Sequence, residues 1–169
     1  MAKRYILGLS AASLLVMSSL ASATDGTVNF TGTVINAPCS IATESVDQTI
    51  DFGALSSVFL DGDNVSEMKP LTIKLIACDA SVTSASITFA GQSVTGATDE
   101  LATAGTTGTA IQITNAGTPV TFGTPVTLGT ITEGDNTLQF GATVKKATGV
   151  TATTAGDFTA VTNFTMVYP

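Results

Sequence analysis

Residues 24–39 read TDGTVNFTGTVINAPC, and this stretch decides the predicted fold. Small or apolar residues recur at every second position, with polar residues between them. A period of two places one set of side chains on one face of an extended strand. That face consists of Gly26, Val28, Phe30, Gly32 and Val34. We therefore predict a strand over residues 27–36 with one face built to be buried.

The last residues of the chain alternate in the same way. Residues 163–169 read NFTMVYP, which places Phe164, Met166 and Tyr168 on one side of a strand that runs to Pro169. Both ends of the chain are thus predicted to be strands with one apolar face. An ordinary strand that pairs within its own sandwich would show the same alternation, and this alternative stays open at both ends.

Between the two ends, short alternating segments separated by Gly, Asn, Asp or Pro favour an all-β fold. The predicted strands are residues 48–53, 71–77, 85–90, 110–115, 125–130, 137–145 and 158–168. Residues 91–108 lack large apolar anchors and are predicted to form a long surface loop, and a helical turn is expected near 65–68. Regularly spaced short strands with one cystine between strands favour an immunoglobulin-like β-sandwich.

The N-terminus has the pattern of an export signal. Lys3 and Arg4 precede an apolar stretch that ends in the small residues 21–23, so residues 1–23 are predicted to be a signal peptide. An uncleaved N-terminal anchor is the alternative. The remaining residues, 24–169, fit one domain.

The charge balance of the chain is acidic. Six basic and thirteen acidic residues are present, and removal of Lys3 and Arg4 leaves four against thirteen, a net charge of −9. Such a surface repels phosphates, so nucleic acid is excluded as a partner.

The two cysteines, Cys39 and Cys78, both lie in the part predicted to be exported, where disulfides persist. We predict one bridge, which stabilises the domain by about 4 kcal/mol in the chain-entropy model. A zinc site is disfavoured because the sequence has no histidine and two thiolates cannot complete a four-ligand shell. No cofactor is expected.

Catalysis has little chemical support in this sequence. There is no histidine, both cysteines are assigned to the bridge, and no serine motif comes with a base, so we predict that the protein is not an enzyme. Two carboxylate pairs, Asp61 with Asp63 and Asp99 with Glu100, are interpreted as solvated turns. Calcium at Asp61 and Asp63 is a weaker alternative because too few oxygen ligands cluster there.

These patterns together resemble one known family. A strand of the form V-x-F-x-G-x-V precedes Cys39, a second cysteine follows about forty residues on, and the alternating last strand has Tyr168 next to last. Residues 46–53, VDQTIDFG, are similar to the short strand that follows the first cysteine in chaperone-usher pilins. The chain resembles that family, in particular the type 1 fimbrial major subunits, over essentially all of residues 24–169.

The resemblance implies an incomplete immunoglobulin-like domain that lacks its seventh strand. Residues 24–38 would be an N-terminal donor-strand extension, residues 39–169 the pilin domain, and Gly26, Val28, Phe30, Gly32 and Val34 the donor face that completes a neighbour. Phe164, Met166 and Tyr168 would form the strand at the edge of the groove that a periplasmic chaperone and an outer-membrane usher recognise. Pro169 departs from the family pattern, because proline cannot donate a backbone hydrogen bond.

The implied function is that of a fimbrial shaft subunit, exported through the periplasm to the bacterial surface, where the extracellular fimbria supports adhesion. Its partners would be copies of itself, sibling pilins, the chaperone and the usher. Two alternatives remain: a minor adaptor or terminator pilin, and a secreted β-sandwich carbohydrate-binding module. The second lacks its usual aromatic platform, because the sequence has no tryptophan and Tyr168 is the only tyrosine after the signal.

Overall fold

The computed structural model describes residues 26–34 and 37–169 of the chain. The described residues belong to two units, the first with residues 26–34 and the second with residues 37–169. The predicted signal peptide lies outside the described residues. Within the described ranges, no helix is long and apolar enough to cross a membrane.

The larger sheet of the second unit is antiparallel throughout. Its strands are β1 Ser40–Ile41, β2 Lys69–Cys78, β4 Ser93–Val94, β5 Ala97–Ala102, β6 Thr109–Asn115, β7 Thr118–Pro119 and β9 Gly134–Lys146. They lie in the order β1-β2-β9-β6-β5-β4, and β7 pairs with β6. The long central pair, β2 and β9, is the framework on which the shorter strands are arranged.

The smaller sheet has three strands, β3 Ser86–Ala90, β8 Val126–Thr127 and β10 Asn163–Val167. They lie in the order β10-β3-β8. Two short helices, α1 Thr43–Val46 and α2 Ser57–Asp61, lie between β1 and β2 in the sequence. The side chain of Ser56 caps α2 by accepting a hydrogen bond from the backbone N–H of Phe59 at 3.3 Å.

The core lies between the two sheets. Alternate residues of β2 are buried, as are Ile87 and Phe89 of β3. The ring of Phe89 meets that of Phe140 on β9 edge-to-face, with their centroids 5.1 Å apart. Burial of one face of each sheet against the other confirms the predicted β-sandwich.

The disulfide is also confirmed. Cys39 and Cys78 are bonded and buried, and the bridge ties the residues before β1 to the end of β2. The strands pair antiparallel beside it, with Ser40 opposite Ile76 and Ile41 opposite Leu75. The covalent link therefore closes the edge of the larger sheet at which the domain begins.

Several predicted elements differ from the structure. The loop predicted over residues 91–108 is wrong, because β4 and β5 form a hairpin there, turning at Gly96 with φ of +87°, and Leu101 is buried. The strand predicted over residues 125–130 is reduced to β8. The helical turn expected near 65–68 is wrong as well, since the nearest helix is α2. The predictions for β2, β3, β6 and β9 are confirmed to within three residues at each end.

Candidate functional site: an open groove beside the last strand

The last strand, β10, lies at an edge of the smaller sheet. Its partner among the described residues is β3, with Asn163 opposite Ala90 and Val167 opposite Ser86. In an antiparallel strand, alternate residues direct their N–H and C=O groups to opposite sides. Half of these groups in β10 therefore point away from β3. An edge of this kind is a ready template for another strand.

The inward row of β10 is covered only in part. From residue 158 to residue 168 the even-numbered side chains are half-buried and the odd-numbered ones are exposed. Phe164 lies opposite Phe89 and Met166 opposite Ile87, with the two phenylalanine ring centroids 6.4 Å apart. On β3 those partners are 1% and 0% exposed. The inward side chains of β10 thus have the core on one side and lack a neighbour on the other.

The segment facing this edge is residues 48–55, which includes the strand predicted over residues 48–53. That prediction is wrong: the segment has no assigned strand, and no backbone hydrogen bond joins residues 48–55 to another described residue. Ile50, Phe52 and Leu55 nevertheless pack against the core. The alternating pattern therefore predicts correctly which side chains of this segment face the core. A strand also requires a neighbouring strand for its backbone hydrogen bonds, and the described residues do not provide one.

Between β10 and residues 48–55 lies a groove formed by two adjoining cavities. The first, of about 830 Å³, has core side chains among its lining residues, including Phe89, Leu101 and Ile113. The second, of about 650 Å³, continues past Phe158, which lines both cavities, towards threonine-rich residues 153–157. The groove therefore opens the hydrophobic core of the second unit to its surroundings.

The N-terminal segment forms neither a helix nor an assigned strand over residues 26–34. The strand predicted over residues 27–36 is thus absent from residues 27–34, and Ile35 and Asn36 lie outside the described residues. The large side chains of the predicted donor face are exposed, with Phe30 91% accessible. Apolar side chains that are exposed to water in this way lack the hydrophobic stabilisation that burial would provide.

The model of the fimbrial protein family matches residues 28–169, a range that includes the groove and most of the exposed segment. The chain belongs to the fimbrial protein family. This pilin is a structural subunit of a fimbria, an extracellular surface fibre whose subunits are exported through the periplasm. The resemblance to chaperone-usher pilins is confirmed.

The relatives of this pilin are fimbrial proteins of similar length. It is 42% identical over 159 residues to the Fimbria A protein of Serratia marcescens, covering 90% of this chain and 91% of the relative. It is 44% identical over 154 residues to the Pap fimbrial major pilin of Escherichia coli, covering 85% and 83%.

Two solved structures support the fold assignment of the pilin. The P pilus rod subunit PapA shares 40% identity at a TM-score of 0.74, over 79% of this chain and all of that one. A chaperone-usher pilus structure shares 40% identity at a TM-score of 0.80, over 94% of this chain and all of the other. The immunoglobulin-like class is thereby confirmed.

One functional feature escaped the sequence interpretation: the buried anchor at Glu100. This residue, interpreted as part of a solvated pair, is 2% exposed and accepts hydrogen bonds from the Lys145 ammonium at 2.7 Å and from the backbone N–H and hydroxyl of Thr148. Burial alone would raise the pKa of Glu100, but these hydrogen bonds outweigh it and lower the pKa. Residues 91–102, which form the hairpin that carries Glu100, read GQSVTGATDELA and show no regular alternation that would have signalled it.

A second anchor holds the stretch that leads from β9 to β10. Asp61, at the end of α2, accepts hydrogen bonds from the backbone N–H of Thr153 at 2.6 Å and from its hydroxyl at 3.0 Å. The backbone hydrogen bond is the main cause that lowers the pKa of Asp61. Together with Glu100 at Thr148, Asp61 fixes the path of the chain into the groove wall.

At the far end of β10, Tyr168 contributes to the same half-buried row as Phe164 and Met166. Its hydroxyl oxygen is buried and has no hydrogen-bond partner among the described residues. Burial raises the pKa of Tyr168. Thus the three residues predicted at the groove edge do lie together on one face of the last strand.

Proposed function

We propose that this pilin forms the shaft of a fimbria by donor-strand exchange, in which residues 26–34 of one copy fill the groove of the next. The single observation that carries this proposal is the half-buried inward row of β10 beside an unpaired wall, residues 48–55. A strand inserted there would hydrogen-bond to β10 and cover its apolar row at once, which is strand addition at an exposed sheet edge.

The length of the groove is similar to the length of the donor face. The inward row of the groove runs from Phe158 to Tyr168, ten residue steps, and would span about 34 Å if all of it were extended, of which β10 is the part Asn163–Val167. The donor face from Gly26 to Val34 covers eight steps, or about 27 Å. One segment can therefore cover most of one groove without an overhang, and about 7 Å of the row stays uncovered.

The chemistry of the two parts also agrees. The groove has phenylalanine, leucine and isoleucine side chains at its base, and the donor face offers Val28, Phe30 and Val34. Burying each of these side chains contributes about 1.5–3 kcal/mol relative to leaving it exposed. Gly32 suits a place where the inserted backbone lies close to the groove floor, since glycine has no side chain to accommodate.

Assembly partners follow from the same groove. A subunit that exposes its core before polymerisation needs a temporary cover, and we assign that part to a periplasmic chaperone, with the outer-membrane usher as the place of exchange. The similarity to a chaperone-usher pilus supports this assignment. Phe164, Met166 and Tyr168 would lie beside whichever strand occupies the groove. We propose no enzymatic activity.

The position in the shaft is supported by the relatives, which are a fimbrial major pilin and a pilus rod subunit by name. A shaft subunit must both accept and donate a strand, and the described residues of this chain include a groove and a segment with an apolar face. Copies of the chain can therefore add one after another, and sibling pilins with the same two parts can join the same fibre.

The test is a bulky residue on the donor face. We expect Gly32→Leu to abolish polymerisation and leave export intact, because the added side chain keeps the inserted backbone away from the groove floor. Thr31→Leu, which adds similar bulk to the opposite face of the same strand, is the matched control and should still polymerise. The readouts are detergent-stable ladders without boiling and electron microscopy of cells. Full-length fibres from Gly32→Leu are incompatible with the donor assignment.

A further inference from the structure

Met68 lies on the outer face of the larger sheet, the face turned away from the core, and is 61% exposed. Its side chain covers Gly141 of β9, which is buried although Phe140 and Ala142 on either side of it face the core. A methyl group on Gly141 would overlap the Met68 sulfur and would lie 2.7 Å from its Cγ and 2.9 Å from Thr114 Oγ1. Met68 therefore occupies a notch that exists because residue 141 has no side chain.

The backbone beside Met68 is fixed by its neighbours. The backbone N–H of Ser66 donates a hydrogen bond to the Val144 carbonyl at 2.8 Å, and Ser66 Oγ accepts one from the backbone N–H of Val144 at 2.9 Å. Pro70 lies opposite Gly141 in the pairing of β2 with β9. Gly141 has no positive φ, so the glycine provides space here and not an unusual backbone conformation. A chemical change at Met68 is therefore expected to move its side chain and to leave the backbone in place.

The side chains that oxidants attack most readily are scarce on the described surface of the pilin. The sequence has no tryptophan or histidine, Cys39 and Cys78 are joined in the buried disulfide, and the Tyr168 hydroxyl is buried. After the predicted signal peptide the chain contains two methionines, and the second, Met166, is half-buried in the inward row of β10. Met68 is therefore the one exposed side chain of this kind among the described residues.

A thioether sulfur reacts with two-electron oxidants such as hydrogen peroxide. The sulfur lone pair attacks one peroxide oxygen, an S–O bond forms as the O–O bond breaks, and a proton shift releases water. The sulfur is thereby oxidised to a sulfoxide and the peroxide is reduced to water. The sulfoxide is polar, disrupts the apolar contacts of the original side chain and can be reduced back by methionine sulfoxide reductases. A sulfoxide at residue 68 thus no longer suits the notch.

We propose that Met68 is a reversible oxidation site of the fimbria, at which peroxide converts the thioether to a sulfoxide and releases the side chain from the notch at Gly141. The subunits form an extracellular fibre, so oxidants outside the cell can reach this side chain. Without its contacts the outer face of the larger sheet is uncovered at Gly141, and the folded subunit becomes less stable. Neither residue lines the groove, so oxidation at this site does not depend on strand exchange.

The first test measures where oxygen is added. Purified fibres are treated with hydrogen peroxide at neutral pH, and peptide mass spectrometry follows the sulfoxide content at both methionines. We expect Met68 to be oxidised at least about tenfold faster than Met166, because reactivity follows exposure. In the pilin unfolded in denaturant the two rates should be equal, which shows that the fold causes the difference. Comparable rates at the two residues in fibres, or an unreactive Met68, would overturn the proposal.

The second test measures what the sulfoxide does to the fold. Urea unfolding of the purified pilin should show a lower midpoint after oxidation, and reductases for both sulfoxide epimers should restore it. Met68→Gln, which places a polar side chain over the notch, should lower the midpoint without peroxide. Met68→Leu, which keeps an apolar side chain there without a sulfur atom, is the matched control, and peroxide should leave its midpoint unchanged.

A third variant locates the effect at the notch. Gly141→Ala fills the notch with a methyl group, so it should lower the midpoint of the untreated pilin and lose most of the further shift on oxidation. An unchanged midpoint after complete oxidation of Met68, or an equal shift in Met68→Leu, contradicts the proposal. A full oxidation shift in Gly141→Ala would mean that the sulfoxide acts somewhere other than the notch, which also contradicts it.

Discussion

Strands β3 and β10 are neighbours in one sheet, alternate in the same way and face the same core, yet they differ in burial. Ile87 and Phe89 of β3 are fully enclosed, while Phe164 and Met166, directly opposite them, are half-buried. The difference comes from position, because among the described residues β3 has a strand on each side and β10 has one on a single side. An alternating pattern therefore specifies which face is inward and does not specify whether that face is covered.

The largest expected effect is the difference in stability between alanine substitutions in β3 and in β10. Phe89→Ala should cost about 3–5 kcal/mol of unfolding free energy, as for other buried phenylalanines, with or without a strand in the groove. Phe164→Ala should cost less than half as much in the open subunit, and more once a peptide of residues 24–36 is bound, because only then is its ring enclosed.

Urea unfolding of residues 24–169 carrying Gly32→Leu, which keeps one copy from filling the groove of another, measures both costs with and without that peptide. An open groove beside β10 is contradicted if Phe164→Ala is as costly as Phe89→Ala in the open subunit, or if the peptide leaves the cost of Phe164→Ala unchanged.

A second effect concerns the edge of the larger sheet that is closed covalently. Replacement of Cys39 and Cys78 by alanine together should lower the unfolding free energy by about 4 kcal/mol, the value for a loop of this length in the chain-entropy model. In contrast to Phe164→Ala, this loss should be similar whether the groove is open or filled, since the bridge lies between β1 and β2. Urea unfolding of the double variant under both conditions is the measurement, and a loss below about 1 kcal/mol would show that the bridge adds little.

A third effect tests the anchor that leads the chain into the groove wall. Glu100→Gln should cost about 1.5–3 kcal/mol at neutral pH, because it removes a charged acceptor from Lys145 and Thr148. The pKa of Glu100 is lower in the folded chain than its ordinary value of 4.5. Its stabilising contribution is thus complete above pH 4.5 and is lost as the pH falls through the folded pKa.

The difference between the wild type and Glu100→Gln should therefore shrink in acid. Glu67→Gln, at an exposed glutamate whose ion pair with Lys69 is 3.8 Å long, is the control and should change stability by less than about 0.5 kcal/mol. A difference that is constant from neutral pH to well below 4.5 would exclude the charged form of Glu100 as the stabilising one.

The smallest expected effect on stability is that of Tyr168, the last residue of the half-buried row of β10. The Tyr168 hydroxyl is buried without a partner among the described residues, so Tyr168→Phe should leave stability unchanged or raise it by up to about 1 kcal/mol. In the wild type, the pKa of Tyr168 is raised from 10.0 by burial, and the stability that this provides is lost as the pH rises through the folded pKa.

Tyr168 is the only tyrosine in residues 24–169, so its ultraviolet absorbance reports its ionisation without interference. The midpoint should lie above pH 10.0 in the folded chain and return to that value in denaturant. A midpoint at the ordinary value in the folded chain, or a clear loss of stability in Tyr168→Phe, would mean that the hydroxyl is solvated or hydrogen-bonded.

Much of the sandwich could be predicted from the sequence, because β2, β3, β6 and β9 carry clear alternation of apolar and polar residues between turn signals. The pairing of Cys39 with Cys78 could be predicted as well, since no other cysteine competes. The hairpin of β4 and β5 could not, because its burial depends on Leu101 and Glu100, whose partners lie on other strands.

The groove was predictable in outline only. The face of residues 158–168 follows from alternation, but its exposure depends on a neighbour that the described chain lacks, and no local pattern records that. The same holds for residues 48–53 on the opposite wall of the groove. Ile50 and Phe52 pack against the core as strand residues would, but the backbone of this segment has no pairing partner among the described residues. The sequence pattern predicts the packing and does not predict the missing partner.

Amide hydrogen exchange in the open and the filled subunit shows whether the groove lacks a strand until another chain supplies one. With a bound peptide of residues 24–36, the amides of residues 48–55 and every second amide of β10 should change from fast to slow exchange, while those of β3 stay slow in both states. If the same amides of β10 and residues 48–55 are already protected without the peptide, the groove is closed by the subunit itself and the account is wrong.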